Sequence, residues 1–253
     1  MSSNRLRERL ARGDTAIGGW CSIGSPLTTE LLATAGLDYV CIDLQHGASG
    51  SDTLVAQLLA VSRTPATPVV RVPANDAAWI GKALDLGAEA VIVPMVEDVD
   101  AAARAAAACR YPPAGVRSFG PTRARLFLNE HPTDVVNRQV QCFVMIETVL
   151  GVERAAAITA TEGVDGVYVG PSDLAVSIGA APGSADDELE KLIESVRRAC
   201  IDNGVVAGIH AMDGADARRR IEQGFSMVTV GTDAGLFRAA ITRAMREARG
   251  EEA

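Results

Sequence analysis

The sequence lacks the features of a membrane-spanning, secreted or nucleic-acid-binding protein. No apolar run approaches the roughly 20 residues that a membrane-spanning helix needs. The first residues, MSSNRLRERLARGD, are charged and have no apolar centre such as a signal peptide carries. The net charge is −8, and the one arginine cluster, Arg218 to Arg220, is interpreted as the solvated side of a helix. We therefore expect neither a membrane nor a nucleic acid as partner.

Cysteine pairs are also missing. Five cysteines occur, an odd number, and none is spaced as CxxC: Cys21, Cys41, Cys109, Cys142 and Cys200. This spacing argues against a disulfide framework and against a zinc–thiolate site. The usage indicates a reducing compartment, and we expect a cytoplasmic protein.

What the sequence does contain is a recurring unit in which a helical stretch ends at glycine and a short β-rich run follows. It occurs as GLDYVCID, GAEAVIVP, GVDGVYVG and GFSMVTVG, beginning at Gly36, Gly87, Gly163 and Gly224. Glycine provides the left-handed residue that ends a helix. The Val- and Ile-rich runs are typical of strands buried on both faces. The pattern predicts strands that alternate with helices.

Eight such strands can be placed along the chain. We predict them at Ile17–Ser22, Tyr39–Asp43, Pro68–Val72, Ala90–Pro94, Cys142–Glu147, Gly166–Val169, Val205–Ile209 and Met227–Val230. Eight strand–helix steps favour an α/β fold of the closed (β/α)8 TIM-barrel type, in a single domain over residues 1–253. No glycine-rich dinucleotide loop follows a strand, which disfavours an open sheet of the Rossmann type. Leu6–Arg12 is predicted as an extra N-terminal helix.

Two segments interrupt this rhythm. Tyr111–Arg138, which includes YPPAGVRSFGPTRARLFLNEHP, is predicted as a long loop after the fourth strand, and Gly170–Gly183 as a second insertion after the sixth. Loops of this length in compact domains are usually functional or mobile.

Polar side chains follow several predicted strands at the end where barrels of this type carry their active sites. They are Asp43, His46, Arg71, Glu147 and Asp173. Singly, each has a structural explanation, such as a turn cap for either aspartate or an Arg71–Glu147 salt bridge. Glu147 ends the apolar run CFVMIE, and a buried carboxylate must be paired or bound to a cation. The convergence of five groups on one end favours a site.

The candidate ligands are oxygen atoms. Glu147 and Asp173 suit magnesium, manganese or cobalt, and leave positions for water and for a 2-oxo acid that binds through two oxygens. The metal would act as a Lewis acid that stabilises an enolate. The only lysines, Lys82 and Lys191, fall in helical patterns, so Schiff-base chemistry, which needs a lysine directed into the barrel, is disfavoured.

At these residues the sequence resembles the HpcH/HpaI aldolase family of class II, metal-dependent pyruvate aldolases. The similar stretches run in order from Gly18 to Gly179: GGWCSIGSPLTTELLATAGLDYVCIDLQHG, VVRVPANDAAWIGKALDLGAEAVIVPMVE, YPPAGVRSFG, IETVLGVE and VDGVYVGPSDLAVSIG. A weaker similarity follows in VTVGTDAGLF.

The resemblance implies a role for each strand-end group. It implies that His46 and Asp43 form the acid/base pair and that Arg71 holds the pyruvyl oxygens and stabilises the enolate. It also implies that Glu147 and Asp173 are the metal ligands.

Three further residues receive roles only through the resemblance. It implies that Trp20 lies beside the substrate and that Ser172 offers a backbone carbonyl or amide to it. Asp85 corresponds to a residue that reaches a neighbouring subunit's site, which implies a homo-oligomer, typically a hexamer of dimers. Two departures stand beside this match: Gln45 replaces a glutamate in DLQH, and Met145 stands where glutamine is common.

The predicted reaction is cleavage of a 4-hydroxy-2-oxo acid to pyruvate and an aldehyde through a metal-bound pyruvate enolate. The same enolate would serve an oxaloacetate decarboxylase similar to macrophomate synthase, to which RSFGP is also similar. Two less favoured functions are a phosphosugar enzyme that uses VTVGTDAG and a catalytically silent 2-oxo-acid-binding protein. Arg117, Arg123 and Arg125 could bind a second substrate carboxylate or form intersubunit salt bridges.

Overall fold

The computed structural model describes residues 4–128, 133–184 and 186–251. Its eight parallel strands close into a barrel in chain order, β1 to β8, with β8 returning to β1. They are β1 (Ala16–Cys21), β2 (Tyr39–Asp43), β3 (Thr67–Arg71), β4 (Ala90–Val93), β5 (Gln141–Ile146), β6 (Gly166–Val169), β7 (Val206–Ile209) and β8 (Met227–Thr232). The predicted (β/α)8 barrel is confirmed, and every predicted strand boundary lies within two residues of the observed one.

Helices surround the barrel and cover one of its ends. They are α1 (Arg5–Ala11), α2 (Pro26–Ala33), α3 (Ser51–Ser62), α4 (Ala77–Asp85), α5 (Val99–Cys109), α6 (Arg125–Leu128), α7 (Thr133–Gln139), α8 (Val149–Glu153), α9 (Ala155–Thr159), α10 (Pro171–Ser177), α11 (Asp187–Asp202), α12 (Gly214–Glu222) and α13 (Asp233–Arg249). The four glycines that precede the recurring strands all have positive φ, between 85° and 102°, as the helix-end prediction requires.

The inside of the barrel is filled by side chains, so chemistry is confined to its ends. The ring of Tyr39 occupies the space in front of Gly18, where no larger residue fits. Its hydroxyl lies 3.2 Å from that of Thr229, which also bonds Tyr168. Leu6 of the predicted extra helix, α1, joins this interior cluster with 1% of its surface exposed. Helix α1 therefore closes the amino-terminal end of the barrel.

All five cysteines are buried free thiols, each a small apolar group in the core. Within the described ranges, no helix combines the length and the apolar character that crossing a bilayer requires.

The two predicted interruptions contain more regular structure than expected. Helix α6 and all but the last residue of α7 lie within the segment predicted as a long loop, and residues 129–132 of that segment lie outside the described residues. The segment follows α5, so it lies at the amino-terminal ends of the strands and not at their carboxyl ends. The second segment opens with α10. The prediction was wrong here because prolines and glycines at 112–121 obscured the short helical patterns behind them.

The solvated interpretation of the arginine cluster is wrong for one of its members. Arg220 is only 4% exposed, and its guanidinium binds the carboxylate of Glu190 on α11 at 2.7 and 2.8 Å. Arg218 remains exposed beside Glu222, as predicted. The two differ because Arg220 lies on the face of α12 that packs towards α11.

Candidate active site

Asp43 and Arg71 form a buried ion pair at the carboxyl ends of the strands, called the mouth from here on. They end β2 and β3 and are paired in register, which places their side chains next to each other. The guanidinium binds the carboxylate with two hydrogen bonds, Nε to Oδ1 at 2.9 Å and Nη2 to Oδ2 at 2.7 Å. Burial opposes ionisation of Asp43, but Arg71 outweighs it and holds the pKa of Asp43 below its ordinary value. Arg71 therefore stays charged and fixed in direction.

Asp43 also organises the turn that carries His46. Its Oδ1 accepts hydrogen bonds from the backbone amides of Gln45, at 3.0 Å, and His46, at 3.2 Å. The structure thus joins the predicted acid/base pair through the His46 amide, while the imidazole is exposed at the mouth. The carboxylate orients the histidine's loop, and Arg71 pairs with it rather than with Glu147.

Glu147 is a buried carboxylate with one oxygen held and one free. It follows β5 with 2% of its surface exposed, and Oε1 accepts a hydrogen bond from the amide of Met95 at 2.8 Å. Met95 has φ of 55°, an uncommon backbone conformation for a residue other than glycine and one that costs energy. Oε2 has no hydrogen-bond partner among the described residues. Burial raises the pKa of Glu147, and the charge of Asp173 raises it further.

The turn after β6 brings a second carboxylate towards Glu147. Gly170 allows this approach, because a Cβ there would lie 2.6 Å from Oε2 of Glu147. Helix α10 begins at the next residue, with Ser172 half-buried and Asp173 exposed in its first turn. A free buried oxygen beside a second carboxylate fits a hard divalent cation. Across the described ranges no group of three or more His, Cys, Asp and Glu side chains is placed to hold a metal ion, so a cation here would have these two carboxylates as protein ligands and room for water and substrate.

Trp20 forms the floor of the mouth. Its ring is 2% exposed, and the guanidinium carbon of Arg71 lies 4.5 Å from the ring centroid, a cation–π contact. Tyr168 packs against it from inside the barrel, with the centroids 5.6 Å apart. Met145 lies beside the pair, with its sulfur 3.9 Å from Nη1 of Arg71. At this position, where the resemblance implies a glutamine, Met145 offers only a weak thioether acceptor.

His210 lies at the same mouth and was missed in the sequence. It follows β7 directly, and its ring meets the Trp20 ring edge-on at 4.9 Å. Burial and the charge of Arg71 lower its pKa to about 4. The signal was available, because its place after the run VVAGI is the criterion that selected the other strand-end groups.

Asp85 is the one predicted site residue that the structure separates from the others. It ends α4, at the opposite end of the barrel from the mouth, and its carboxylate binds Arg117 at 2.7 Å. Arg117 and Arg123 are buried there, and Arg123 donates to the carbonyl of Leu86 at 2.7 Å. Arg125 contacts the ring of Phe119. These arginines therefore do not face this chain's own mouth.

A phosphate site at the end of β8 is disfavoured, because a carboxylate occupies that position. Asp233 begins α13 and is buried, and it accepts hydrogen bonds from the amide and hydroxyl of Ser22, at 2.7 and 2.8 Å, and from the Ala234 amide at 2.8 Å. Donors that would hold a phosphate are already used. The arrangement argues against a phosphosugar enzyme.

Comparison with known proteins identifies the family. A model of the family described as HpcH/HpaI aldolase/citrate lyase matches residues 17–240. The 5-keto-4-deoxy-D-glucarate aldolase of Klebsiella pneumoniae is 38% identical over 239 residues, which cover 94% of this chain and 93% of that protein.

Solved structures agree as well. An HpcH/HpaI aldolase/citrate lyase family protein from Burkholderia cenocepacia J2315 superposes with a TM-score of 0.92 at 35% identity, covering 98% of this chain and 100% of that one. Macrophomate synthase gives a TM-score of 0.82 at 26% identity, covering 97% of this chain and 89% of that one. The predicted lyase of the aldolase type is confirmed. The chain therefore belongs to the HpcH/HpaI aldolase/citrate lyase family.

Proposed function

We propose that this chain is a metal-dependent aldolase that cleaves a 4-hydroxy-2-oxo acid to pyruvate and an aldehyde. The observation that carries the proposal is the buried, unpartnered Oε2 of Glu147 beside Asp173, at the mouth where Arg71 is fixed. Such an oxygen is costly unless a cation or a donor satisfies it.

Glu147 and Asp173 would hold the cation, with Mg²⁺, Mn²⁺ or Co²⁺ as the candidates. When bound, the cation supplies positive charge that stabilises the negative charge developing on the 2-oxo acid. The Met95 amide holds Glu147 in place through Oε1, which leaves Oε2 directed to the ligand. The need to hold Glu147 in this way explains why Met95 adopts a strained backbone conformation with positive φ.

Arg71 binds the pyruvyl oxygens of the substrate. Its Nε and Nη2 are taken by Asp43, and Nη1 has only the weak thioether acceptor of Met145. A guanidinium fixed before the substrate arrives stabilises developing charge without having to reorganise. The Ser172 backbone, in the first turn of α10, would offer a carbonyl or amide to the substrate, as the resemblance implies.

His46 removes the proton of the C4 hydroxyl, and the C3–C4 bond then breaks. Histidine is the side chain that most often performs this role, and the exposed imidazole can reach a substrate at the mouth. Asp43 acts on it through the loop, since its carboxylate holds the His46 amide. The released half is an aldehyde, and protonation of the remaining half gives pyruvate.

The relatives favour a hydroxylated substrate. The Klebsiella protein is named for 5-keto-4-deoxy-D-glucarate, and we propose a sugar-acid-derived 2-oxo acid for this chain. Oxaloacetate decarboxylation is the second candidate, because it uses the same pyruvyl contacts and because macrophomate synthase is a structural neighbour. The product that accompanies pyruvate, aldehyde or carbon dioxide, separates the two.

We also propose a cytoplasmic location and a homo-oligomer, a hexamer by resemblance to the family, and the surface of α13 supports association between chains. Phe237 is 64% exposed on this helix and Ile241 48%, and such apolar side chains indicate an interface. In this assembly Asp85 would serve a neighbouring subunit. Mixing Asp85→Asn subunits with His46→Ala subunits should restore part of the activity that each variant lacks. No recovery in mixed oligomers would contradict the shared site.

The test of the proposed function is pyruvate release by chelator-stripped protein, with and without Mg²⁺, Mn²⁺ or Co²⁺. Substrates are oxaloacetate and a panel of 4-hydroxy-2-oxo acids. We expect release that depends on added metal and is fastest with an aldol. Metal-independent release, or none with any substrate, would contradict the proposal.

A further inference from the structure

The mouth has two halves of different chemistry. The half formed by β2 to β6 carries the ion pair and the two carboxylates to which the pyruvyl part of the substrate is assigned. The half formed by β7, β8 and β1 presents aromatic side chains, Trp20 and His210. The carboxylate of Asp233 in this half is occupied by the β1–α2 loop. Among the described residues of this half, the imidazole of His210 and the indole nitrogen of Trp20, which has no hydrogen-bond partner, are left to make directed contact with a substrate.

His210 has the position of such a contact. Its ring is half-buried at the end of β7, and among the described residues no side chain or backbone group forms a hydrogen bond with it. Trp20 touches both this ring and the guanidinium of Arg71, at 4.9 and 4.5 Å. The Trp20 ring therefore joins the guanidinium to which the pyruvyl oxygens are assigned to the His210 ring, which puts His210 on the side left for the other half of the substrate.

The charged groups around His210 determine its protonation. Arg71 on β3 opposes protonation, while Asp43 on β2 and Asp216 on α12 favour it, and burial has the largest effect. The pKa of His210 is about 4, so the ring is neutral at neutral pH. A neutral imidazole offers one N–H donor and one nitrogen acceptor. A hydroxyl group can use both, whereas a carboxylate prefers the protonated ring that Arg71 opposes.

We propose that His210 binds a hydroxyl group on the aldehyde half of the substrate and so selects 4-hydroxy-2-oxo acids with further hydroxyls. The proposal rests on the proposed aldolase function and specifies its substrate class. Shape in an apolar pocket discriminates weakly between a hydroxyl and a methyl group, whereas a directed polar partner discriminates more strongly.

The experiment measures aldol addition of pyruvate to three aldehydes in the presence of Mn²⁺. Glycolaldehyde carries a hydroxyl, propanal carries none, and succinic semialdehyde carries a carboxylate. The proteins are the wild type, His210→Leu and His210→Gln, with Met212→Leu as the matched control on the same loop. Met212 is 61% exposed and provides no hydrogen-bonding nitrogen. His210→Met replaces the leucine variant if that variant does not fold.

In the wild type we expect kcat/KM to be higher for glycolaldehyde than for propanal. The ratio of the two should fall about tenfold in His210→Leu, the effect of one neutral hydrogen bond, and stay within about twofold in Met212→Leu. His210→Gln, which keeps a donor and an acceptor, should recover most of the ratio. An equal loss on all three aldehydes, a loss confined to succinic semialdehyde, or an unchanged ratio would each overturn the proposal.

A second readout separates this inference from the function on which it rests. Metal-dependent exchange of the pyruvate methyl protons with D₂O reports the pyruvyl half alone. Absence of exchange in the wild type would contradict the aldolase function itself. Exchange in the wild type with equal loss of exchange and addition in His210→Leu would contradict only the role given to His210.

Discussion

Two glutamates at opposite ends of the barrel show what distinguishes a candidate site from a buried charge. Glu147 lies at the mouth, and Glu89 lies directly before β4, at the end that α1 covers. Burial raises the pKa of both, that of Glu89 to about 7. Asn4, at the start of α1, donates to the backbone carbonyl of Glu89 at 3.1 Å. In the described part of the chain no hydrogen bond reaches the Glu89 carboxylate.

The pKa values of Glu147 and Glu89 are shifted in the same direction, but the surroundings of the two carboxylates differ. Glu147 is held by a strained Met95 amide, approached by the turn at Gly170 and faced by Asp173 and Arg71. Among the described residues, the charge that acts on Glu89 is that of Arg5. A raised pKa identifies a desolvated acid, and the convergence of several elements on one oxygen identifies a candidate site.

The largest expected effect comes from comparing the same substitution at Glu147 and at Glu89. Glu147→Gln should lower metal-dependent turnover at least about 10³-fold, because a bound cation supplies several kcal/mol of charge stabilisation. Glu89→Gln, the same chemical change at the other end, should leave turnover within about twofold. Steady-state pyruvate release by both variants is the measurement. Similar losses in both would remove the distinction between the two carboxylates.

His46→Ala tests whether proton transfer and metal binding are carried out by different residues of the mouth. We expect turnover to fall about 10²-fold, the lower end for a general base, because the imidazole is exposed. Affinity for Mn²⁺ should change little, since His46 is not a proposed ligand. Turnover and Mn²⁺ titration on the same preparation give both values. Parallel losses would contradict the assigned role.

Glu89 should affect stability as a function of pH. Its folded pKa, about 7, exceeds the ordinary 4.5, so the folded state binds more protons between these values and stability falls as pH rises through that window. Glu89→Gln stays neutral and should raise Tm at pH 8 by about 2–4 °C for each kcal/mol recovered, with little change at pH 4.5. Thermal unfolding at both pH values checks this. A larger gain at pH 4.5 would reverse the sign.

The smallest expected effect is an absence of inactivation. Lys82 lies on α4 and Lys191 on α11, so no lysine lies on a strand. Borohydride added with pyruvate should therefore leave activity unchanged, because no Schiff base is available for reduction. Inactivation with covalently bound pyruvate would replace the metal mechanism with an imine one.

The sequence predicted which residues form this site better than it predicted the contacts between them. Strand ends located Asp43, Arg71 and Glu147, because a buried parallel strand has a clear pattern and a known functional end. The Asp43–Arg71 pair depends on the register between β2 and β3. The positive φ of Met95 depends on the hydrogen bond that its amide donates to Glu147. Neither property is encoded in a local run of residues.

The surroundings of several arginines depend on elements that lie far away in the sequence. Arg220 looked solvated because its partner, Glu190, is on another helix. For the arginines after α5 the sequence left open a substrate carboxylate or an intersubunit salt bridge, and the topology places them at the other end, where Arg117 binds Asp85. Pairings between elements are set by tertiary packing, which one sequence without its relatives does not reveal.

The central claim is that Glu147 and Asp173 form a site for a divalent cation. Its most direct test is titration of chelator-stripped protein with Mn²⁺, in which binding is monitored by calorimetry and by the paramagnetic signal of the free ion. We predict one Mn²⁺ per chain in the wild type and in Glu89→Gln, and no binding at that site in Glu147→Gln. Binding by Glu147→Gln equal to that of the wild type would contradict the claim.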